Sequence, residues 1–492
     1  MNNPLSETLK SGRFCYVVEL VASATKREAQ VLELGSKLAM VPQIVAGSVT
    51  SYAGGGIGQD SVRVGTAVRA RGLTPNVHLT CVNQDRGSLE KTLAALQALE
   101  MYNVFALTGD WPKGSTTPPV FDLDAVQLTE MIAELRARHD VPFHIAVAVS
   151  PFKYVREDCL YQYLKLEKKI AAGADLAITQ VGWDVRKFIE LKRYLDERGL
   201  RTPVLGNVYV LNLRGAEMMA KGRPPGCWAS PELVEQIRGE SQAPDGGLNA
   251  RLERAAETVA VLKGLGYAGA YLGGTHDLRQ INRIIRRAEE IAPRWEELAE
   301  RLRFGSAGGF YLDAAPPPKR HLPLIPVALD AMGRQLPVPW AKKPKNTWMR
   351  RQLRALFAWA DRRGLDGLVE RLEYIVKRPA FGCEECGNCV LGHMEYVCPQ
   401  TCPKQMRNGP CGGTFMGQCE VIDKPCIWVK VMERAEATNN LAGLKTYIPP
   451  PDRRLKGTSS WINFYLERDS RPAASYSDPA PPVVAHPDTP PT

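Results

Sequence analysis

NVHLTCVNQDRGSLEKTLAALQALEMYNVFALTGD, residues 76–110, holds one complete repeat of the pattern that organises most of the chain. A short β-branched run (Asn76–Cys81) gives way to LEKTLAALQALEMY (89–102), whose apolar residues recur at helical spacing. A second short run, Val104–Thr108, follows. Similar runs lie on either side: Phe14–Leu20, Ile44–Thr50, His144–Val149, Leu176–Gln180, Pro203–Val210 and Ala268–Leu272. Their starts are mostly about 30 residues apart, the spacing of βα units on a parallel sheet. The last interval is about twice as long, so two helices are expected there. Eight units in about 265 residues predict a (β/α)8 TIM barrel in an α/β chain, with a doubly wound sheet as the alternative.

The text changes after Gly309. Residues 311–346 are rich in proline and basic residues and read as an extended connector. Residues 347–377 read as one or two basic amphipathic helices, and a small cysteine-rich module follows. The expected organisation is a barrel over 1–310, a connector with helices over 311–379, a metal-binding domain over 380–450, and a tail over 451–492. Seven prolines in residues 471–492 point to disorder at its end.

The chain has 492 residues, 44% hydrophobic and 24% charged, as in ordinary globular proteins. No stretch approaches the ~18 apolar residues of a membrane span. The start, MNNPLSETLKSGRFC, lacks a secretory pattern, so a cytoplasmic setting is expected. The net charge is +10, and +8 of it falls on residues 311–379 (14 Lys/Arg against 6 Asp/Glu). That segment has few interleaved aromatics and no nucleic-acid module, so nucleic acid is not an expected partner. A docking face for an acidic electron carrier is. An oligomer of identical chains is also expected.

Eight of the 12 cysteines lie between Cys383 and Cys426, and Cys15, Cys81, Cys159 and Cys227 are scattered through the first half. The eight are Cys383, Cys386, Cys389, Cys398, Cys402, Cys411, Cys419 and Cys426. The opening CEECGNC resembles the first three ligands of a bacterial ferredoxin cluster, and Cys398-Pro399 and Cys402-Pro403 resemble its closing dipeptide. A 4Fe–4S cluster is the first expectation. Zinc is the alternative, alone or in addition.

Barrels do their chemistry at the C-terminal ends of their strands. Those ends carry Glu19, Thr50, His78 with Thr80, Asp110, Ser150 and Gln180. A carboxylate at the mouth of an apolar strand needs a use, since unpaired burial is costly. In REDCLYQYLKLEKKIAAG, Tyr163, Leu166 and Ile170 should face the barrel, while Lys165, Lys168 and Lys169 form a basic stripe. The stripe reads either as a solvated face or as a hold on a phosphate-bearing cofactor.

SVTSYAGG, HLTC, ALTGD and GADLAITQ, in that order and spacing, resemble the methylenetetrahydrofolate reductase family, whose members are flavin-containing barrels. The resemblance covers roughly residues 13–290. It implies that Glu19 is the general acid toward folate, that Asp110 helps bind folate and tunes the flavin, and that Gln180 contacts the pterin. It further implies that Thr50, His78, Thr108, Gly109, Asp110, Lys165 and Lys169 hold the flavin, FAD or FMN, with Lys169 near its phosphates. Where the family often has a glutamine and an aromatic after strand seven, this chain has LNLRGAEMMA, which offers Gly215 and Met219 toward substrate. Glu19 is followed by Leu20-Val21-Ala22-Ser23 instead of an aromatic-proline pattern, and YLGGTHDLRQINR near strand eight also departs. The cysteine module resembles the C-terminal domain fused to some of these reductases.

The implied reaction is flavin-dependent reduction of 5,10-methylenetetrahydrofolate to 5-methyltetrahydrofolate, or its reverse. The donor would be NADH, NADPH or a ferredoxin or flavodoxin acting through the iron–sulfur module. Two other readings stay open: a flavin-free folate-binding methyltransferase with a zinc domain, and a non-catalytic electron-transfer subunit.

Overall fold

A computed structural model describes residues 3–21, 28–51, 60–112, 114, 116, 118–313, 324–336, 338–339 and 348–469. Ala22 and Ser23, Tyr52–Gly55 of the SVTSYAGG motif, most of the proline-rich connector and the 471–492 tail lie outside those residues.

Eight parallel strands close into a barrel in sequence order. They are β1 (Cys15–Leu20), β2 (Ile44–Val49), β3 (Pro75–Thr80), β4 (Asn103–Leu107), β5 (His144–Val149), β6 (Leu176–Thr179), β7 (Val204–Tyr209) and β8 (Gly269–Gly273). The expected barrel is therefore the observed one, and the closed β1–β8 pairing removes the doubly wound alternative.

Helix α1 (Pro4–Lys10) precedes the first strand; α2 (Glu28–Leu38), α3 (Ser61–Arg69), α4 (Arg86–Ala98), α5 (Ala125–His139), α6 (Arg156–Ala171) and α7 (Val185–Glu197) alternate with the strands. Between β7 and β8 come three helices, α8 (Leu213–Ala220), α9 (Pro231–Glu240) and α10 (Leu248–Gly264), where two were expected. The extra break follows from local signals: Ser230 caps α9 with Pro231 at its first position, and Gly247 starts α10 with φ +75°. Then follow α11 (Leu278–Ile291), α12 (Trp295–Arg301), α13 (Leu324–Gln335), α14 (Trp348–Arg362), α15 (Asp366–Phe381), α16 (Ile427–Ala437) and α17 (Ser460–Tyr465). No helix of the described residues is long and apolar enough to cross a membrane.

Side-chain alternation sorts each strand into two faces. Tyr16, Val18 and Leu20 of β1 face the helices in one large core. Cys15 and Val17 face inward with Phe105, Leu176, Leu205 and Tyr271, and Leu5 of α1 joins them. Asn3, which caps α1, donates to Asn103 at the start of β4 (2.9 Å), so α1 covers the end where strands begin. The same alternation aims Glu19 inward near the other end.

The chain forms two compact units. One comprises residues 1–329 and 390–449, and the other residues 330–389 and 450–492. The observed division falls at 329/330 and 389/390 where 310/311 and 379/380 were expected, and at 449/450, next to the expected 450/451. Cys383, Cys386 and Cys389 belong to the second unit, whereas Cys398, Cys402, Cys411, Cys419 and Cys426 belong to the barrel unit. In the second unit α14 and α15 occupy the stretch 347–377, where one or two helices were expected, and Phe357 of α14 stacks on Tyr465 of α17 at 4.8 Å.

A strap after α12 finishes the barrel unit. Tyr311 donates to buried Asp184 (2.5 Å), and the Leu312 amide donates to Glu190 (2.7 Å). Lys187, fully buried on α7, donates to Glu190 (3.0 Å) and to the Phe310 carbonyl (2.8 Å). Lys187→Ala leaves Glu190 buried without its cation, so unfolding in urea should show a loss of about 3–5 kcal/mol. A loss under 1 kcal/mol would mean that the pair does not hold the strap.

Candidate active site at the barrel mouth

Glu19 stands near the C-terminal end of β1, opposite Ser48 of β2. A side chain at Gly273 in neighbouring β8 would come within 3.1 Å of the Glu19 carboxylate and of the Tyr209 ring. The bare glycine thus lets the acid and the ring pack close against the β8 backbone. Burial, then the Glu19 charge, pushes the Tyr209 phenol up to about 12. The Tyr271 hydroxyl is held well above its ordinary range by burial first, and its hydrogen-bond partners are Ser48 and Glu19. Ser48 also bonds His78 Nε2 (2.9 Å) and accepts from Asn76 Nδ2 (3.0 Å). Burial drives the His78 imidazole down to about 3, so it is neutral at physiological pH.

Across the mouth, Thr108 accepts from the Ala125 amide (3.3 Å), and Gly109 turns with φ +90°. A Cβ at Gly109 would meet Val82 at 2.9 Å, so that position needs glycine. Asp110 follows, half-buried. Thr50 packs at the end of β2 with its hydroxyl on the Leu20 carbonyl (3.4 Å). Gln180 accepts from the Val181 amide (2.9 Å), and its amide nitrogen lies beside Gly226. Met219 is buried in the core under α8. Gly215, on the same helix, receives the Asn212 cap (2.8 Å).

Cys227, grouped above with the scattered cysteines, connects the two acids. Its thiol is pushed up to about 12, by burial first and then by Asp110, with Glu19 adding to the same effect. One side chain thus feels both carboxylates. Sequence gave no sign of this, because Cys227 sits on the loop between α8 and α9, far from any strand end.

The lysine stripe is not solvated: Lys165, Lys168 and Lys169 are all buried. Residues 409–410 lie over Lys165. Lys165 donates to the Gly409 and Pro410 carbonyls (3.3 and 2.8 Å), while Lys169 donates to Ala148 (2.6 Å). Lys153 donates to the carbonyls of Gly412 (2.8 Å) and Thr414 (2.5 Å). Thr414 donates to buried Asp158 (2.6 Å). In return Lys404, itself buried, donates to the Gly109 carbonyl (2.8 Å) and pairs with Glu420. Burial lowers the Lys404 ammonium, but Cys411, Glu420 and Asp110 together hold it above its usual range.

Asp124 anchors this cover. As the cap of α5 it accepts from the amides of Val126 (2.9 Å) and Gln127 (3.1 Å). Its other oxygen accepts from the Arg407 amide (3.3 Å), the Asn408 amide (3.0 Å) and Asn408 Nδ2 (3.1 Å). Asn408 and Gln127 both donate to the Ile448 carbonyl (2.8 and 2.9 Å).

Cys402, Cys411, Cys419 and Cys426 are electrostatic neighbours of one another in the barrel unit. Cys402 and Cys411 also lie near Lys165. A tight knuckle carries Cys419 and Cys426, whose amides donate to Lys424 and Gly417 (each 2.9 Å). Cys383, Cys386 and Cys389 are likewise neighbours in the second unit. Among the described residues no three His, Cys, Asp or Glu side chains stand close enough to hold a single metal ion. Four 2.3 Å bonds to zinc would draw sulfurs to about 3.8 Å of one another. A four-iron cluster, held one cysteine per iron, sets them wider apart.

Several buried polar atoms at the mouth have no hydrogen-bond partner among the described residues: Ser51 Oγ, Ser150 Oγ and Asn207 Oδ1. Buried hydroxyls and amides are normally satisfied.

Barrel, inward acids and polar mouth place the chain among the (β/α)8 barrels whose site lies at the strand C-termini. The family follows from comparison. The Methylenetetrahydrofolate reductase family model matches residues 5–223, and the model described as Methylene-tetrahydrofolate reductase C terminal matches residues 363–454. The chain thus carries a methylenetetrahydrofolate reductase domain followed by the C-terminal domain that bears the same name. A 5,10-methylenetetrahydrofolate reductase of Salmonella typhimurium is 28% identical over 151 residues, covering 30% of this chain and 48% of that protein. Methylenetetrahydrofolate reductase (NADH) 1 of Arabidopsis thaliana is 29% identical over 157 residues, covering 29% and 26%. The chain thus spans less than half the length of these relatives. A Clostridium thermocellum protein, described as binding two copies of 5-methyl-5,6,7,8-tetrahydrofolic acid, aligns over 59% of this chain and 99% of its own at 11% identity. Its TM-score is 0.42, too distant a likeness to carry an argument.

Two outcomes test this site. Asp124→Ala strands buried donors at about 1–3 kcal/mol each. Limited proteolysis should then cut within 400–449 before the barrel is lost; an unchanged digest would show that the anchor lies elsewhere. Burial, then Lys165, holds the Lys169 ammonium down to about 7 against an ordinary 10.5. Between those values the unfolded chain keeps a proton that the folded chain has released. Stability should therefore fall as pH is lowered from about 10.5 to about 7 and then level off. Lys169→Met should flatten that slope in pH-dependent unfolding, and equal slopes in both chains would contradict it.

Proposed function

We propose that the chain interconverts 5,10-methylenetetrahydrofolate and 5-methyltetrahydrofolate with a bound flavin, drawing electrons through iron–sulfur chemistry on its cysteines. The observation that carries this reading is that Glu19 and Asp110 both lie near enough to act on the Cys227 thiol, in a chain matched by reductase family models over residues 5–223 and 363–454.

A flavin, when bound, would supply hydride chemistry toward the methylene carbon. The protein's task is to open the five-membered ring, which needs a proton on N10 of the folate. Glu19 is the inward acid for that step. Tyr271, itself bonded to Ser48, holds the acid in place, and Gly273 gives it room against the strand. Asp110 and Gln180 would bind the pterin from the opposite rim.

The residues expected to hold the flavin are Thr50, His78, Thr108, Gly109, Asp110, Lys165 and Lys169. Ser51 and Ser150 add unsatisfied hydroxyls to that set. Lys165 and Lys169 already donate to backbone carbonyls, so any phosphate contact has to compete with residues 409–410 and 148.

The thiolate-only donor set suits iron–sulfur chemistry. Cys411 and Asp110 both act on the buried Lys404 ammonium, so Lys404 would position any group held on Cys411 relative to the Asp110 side of the mouth. An acidic one-electron carrier or a nicotinamide nucleotide would be the source.

Glu19→Gln should keep bound flavin while 5-methyltetrahydrofolate formation falls by about 10²–10⁴-fold. Anaerobic stopped-flow with cofactor extraction measures both. A full rate in Glu19→Gln, or wild-type protein that binds no flavin on reconstitution, overturns the reading.

A further inference from the structure

Asp110 sits on a turn that is held from both sides. Gly109 before it turns with φ +90° and leaves no room for a side chain against Val82. The Gly109 carbonyl accepts from the Lys404 ammonium at 2.8 Å. Trp111 after it stacks on Phe121, with ring centroids 6.0 Å apart and planes 21° from parallel. The same Lys404 ammonium lies 5.4 Å from the centre of the Phe121 ring. One lysine, 295 positions further along the chain, thus reaches one flank of Asp110 directly and the other through Phe121.

Phe121 has an uncommon backbone. Its φ of +44° lies in the left-handed region, which a bulky aromatic residue rarely adopts. Bonds on either side fix it there: the Val120 amide donates to the Val82 carbonyl (2.9 Å), and Asp122 accepts from the Arg86 amide (3.2 Å). Strained backbone of this kind persists only where its surroundings over-determine it, and it clusters at functional sites.

Lys404 is as firmly placed. Its side chain and that of Glu420 are 2% and 3% exposed, and the two pair directly. A Cβ at Gly413 would overlap the Glu420 carboxylate, so the glycine leaves the space that the pair needs. A buried pair adds little net stability over an apolar one of equal volume, so its informative feature is where the ammonium ends. It ends on the backbone beside Asp110.

We propose that Lys404 is a positioning residue for the reductase site: through the Gly109 carbonyl and the Phe121 ring, it fixes the direction in which Asp110 presents its carboxylate to the pterin. This rests on the reading of Asp110 as a folate contact. The C-terminal stretch then contributes a side chain to the folate site of the barrel.

The test is a double-mutant cycle on the full-length, flavin-reconstituted protein, read as the equilibrium dissociation constant for 5-methyltetrahydrofolate. Lys404→Met should weaken binding by about tenfold, the order expected of groups coupled through one contact. In an Asp110→Asn chain, itself a weaker binder, the same change should cost under about twofold, because the group it acts through is already gone. Phe121→Asn, which keeps a residue that tolerates the left-handed region but removes the ring, should weaken binding as Lys404→Met does. Where Lys404→Met alone does not fold, Lys404→Met with Glu420→Gln leaves no unpaired buried charge, and the same dependence on Asp110 is expected.

Unchanged affinity in Lys404→Met overturns the proposal. So does an equal loss with and without Asp110→Asn, which is the mark of a role in folding alone. If Asp110→Asn by itself leaves the affinity unchanged, the pterin reading of Asp110 fails, and the role of Lys404 falls with it.

Discussion

The Asp124 carboxylate holds two distant stretches of chain in one structure. It is buried at the start of α5 and accepts five hydrogen bonds, two from its own helix and three from Arg407 and Asn408. Once residues 407–408 are fixed, the following carbonyls fall where Lys165 and Lys153 can use them, and Lys404 falls on Gly109. Each of these lysines is buried, and a buried ammonium without partners is costly. The barrel rim and the 402–414 cover therefore satisfy each other. Residues 390–449 pack in one compact unit with the barrel.

That dependence explains what could be read from the sequence and what could not. The eight strands were legible because alternation and β-branched runs are local signals, and the structure places them within a residue or two of expectation. Glu19 facing inward followed from the same alternation. The lysine stripe was harder: on a helix viewed alone, Lys165, Lys168 and Lys169 look like a solvated face. Their cover comes from residues some 240 positions away, joined by bonds such as Lys165 to Pro410. The cysteine spacing marked a module but not its division, since the link from Asp124 to Asn408 spans 284 residues. Cys227 and Ser51 gained meaning only when loops met at the mouth.

The chemistry has the same economy. Glu19 is fixed through Tyr271 and Ser48 on one side of the mouth. Asp110 faces Lys404 on the other, and Lys404 neighbours Cys411. Lys404 thus ties the Asp110 side of the mouth to the cysteine-bearing stretch.

The decisive measurement is a single turnover of full-length protein, reconstituted with flavin, reduced chemically and mixed anaerobically with 5,10-methylenetetrahydrofolate. Formation of one 5-methyltetrahydrofolate per reduced flavin, with reoxidation of the flavin at the same rate, is the expected result. Reduced flavin that stays reduced in the presence of the folate would contradict it.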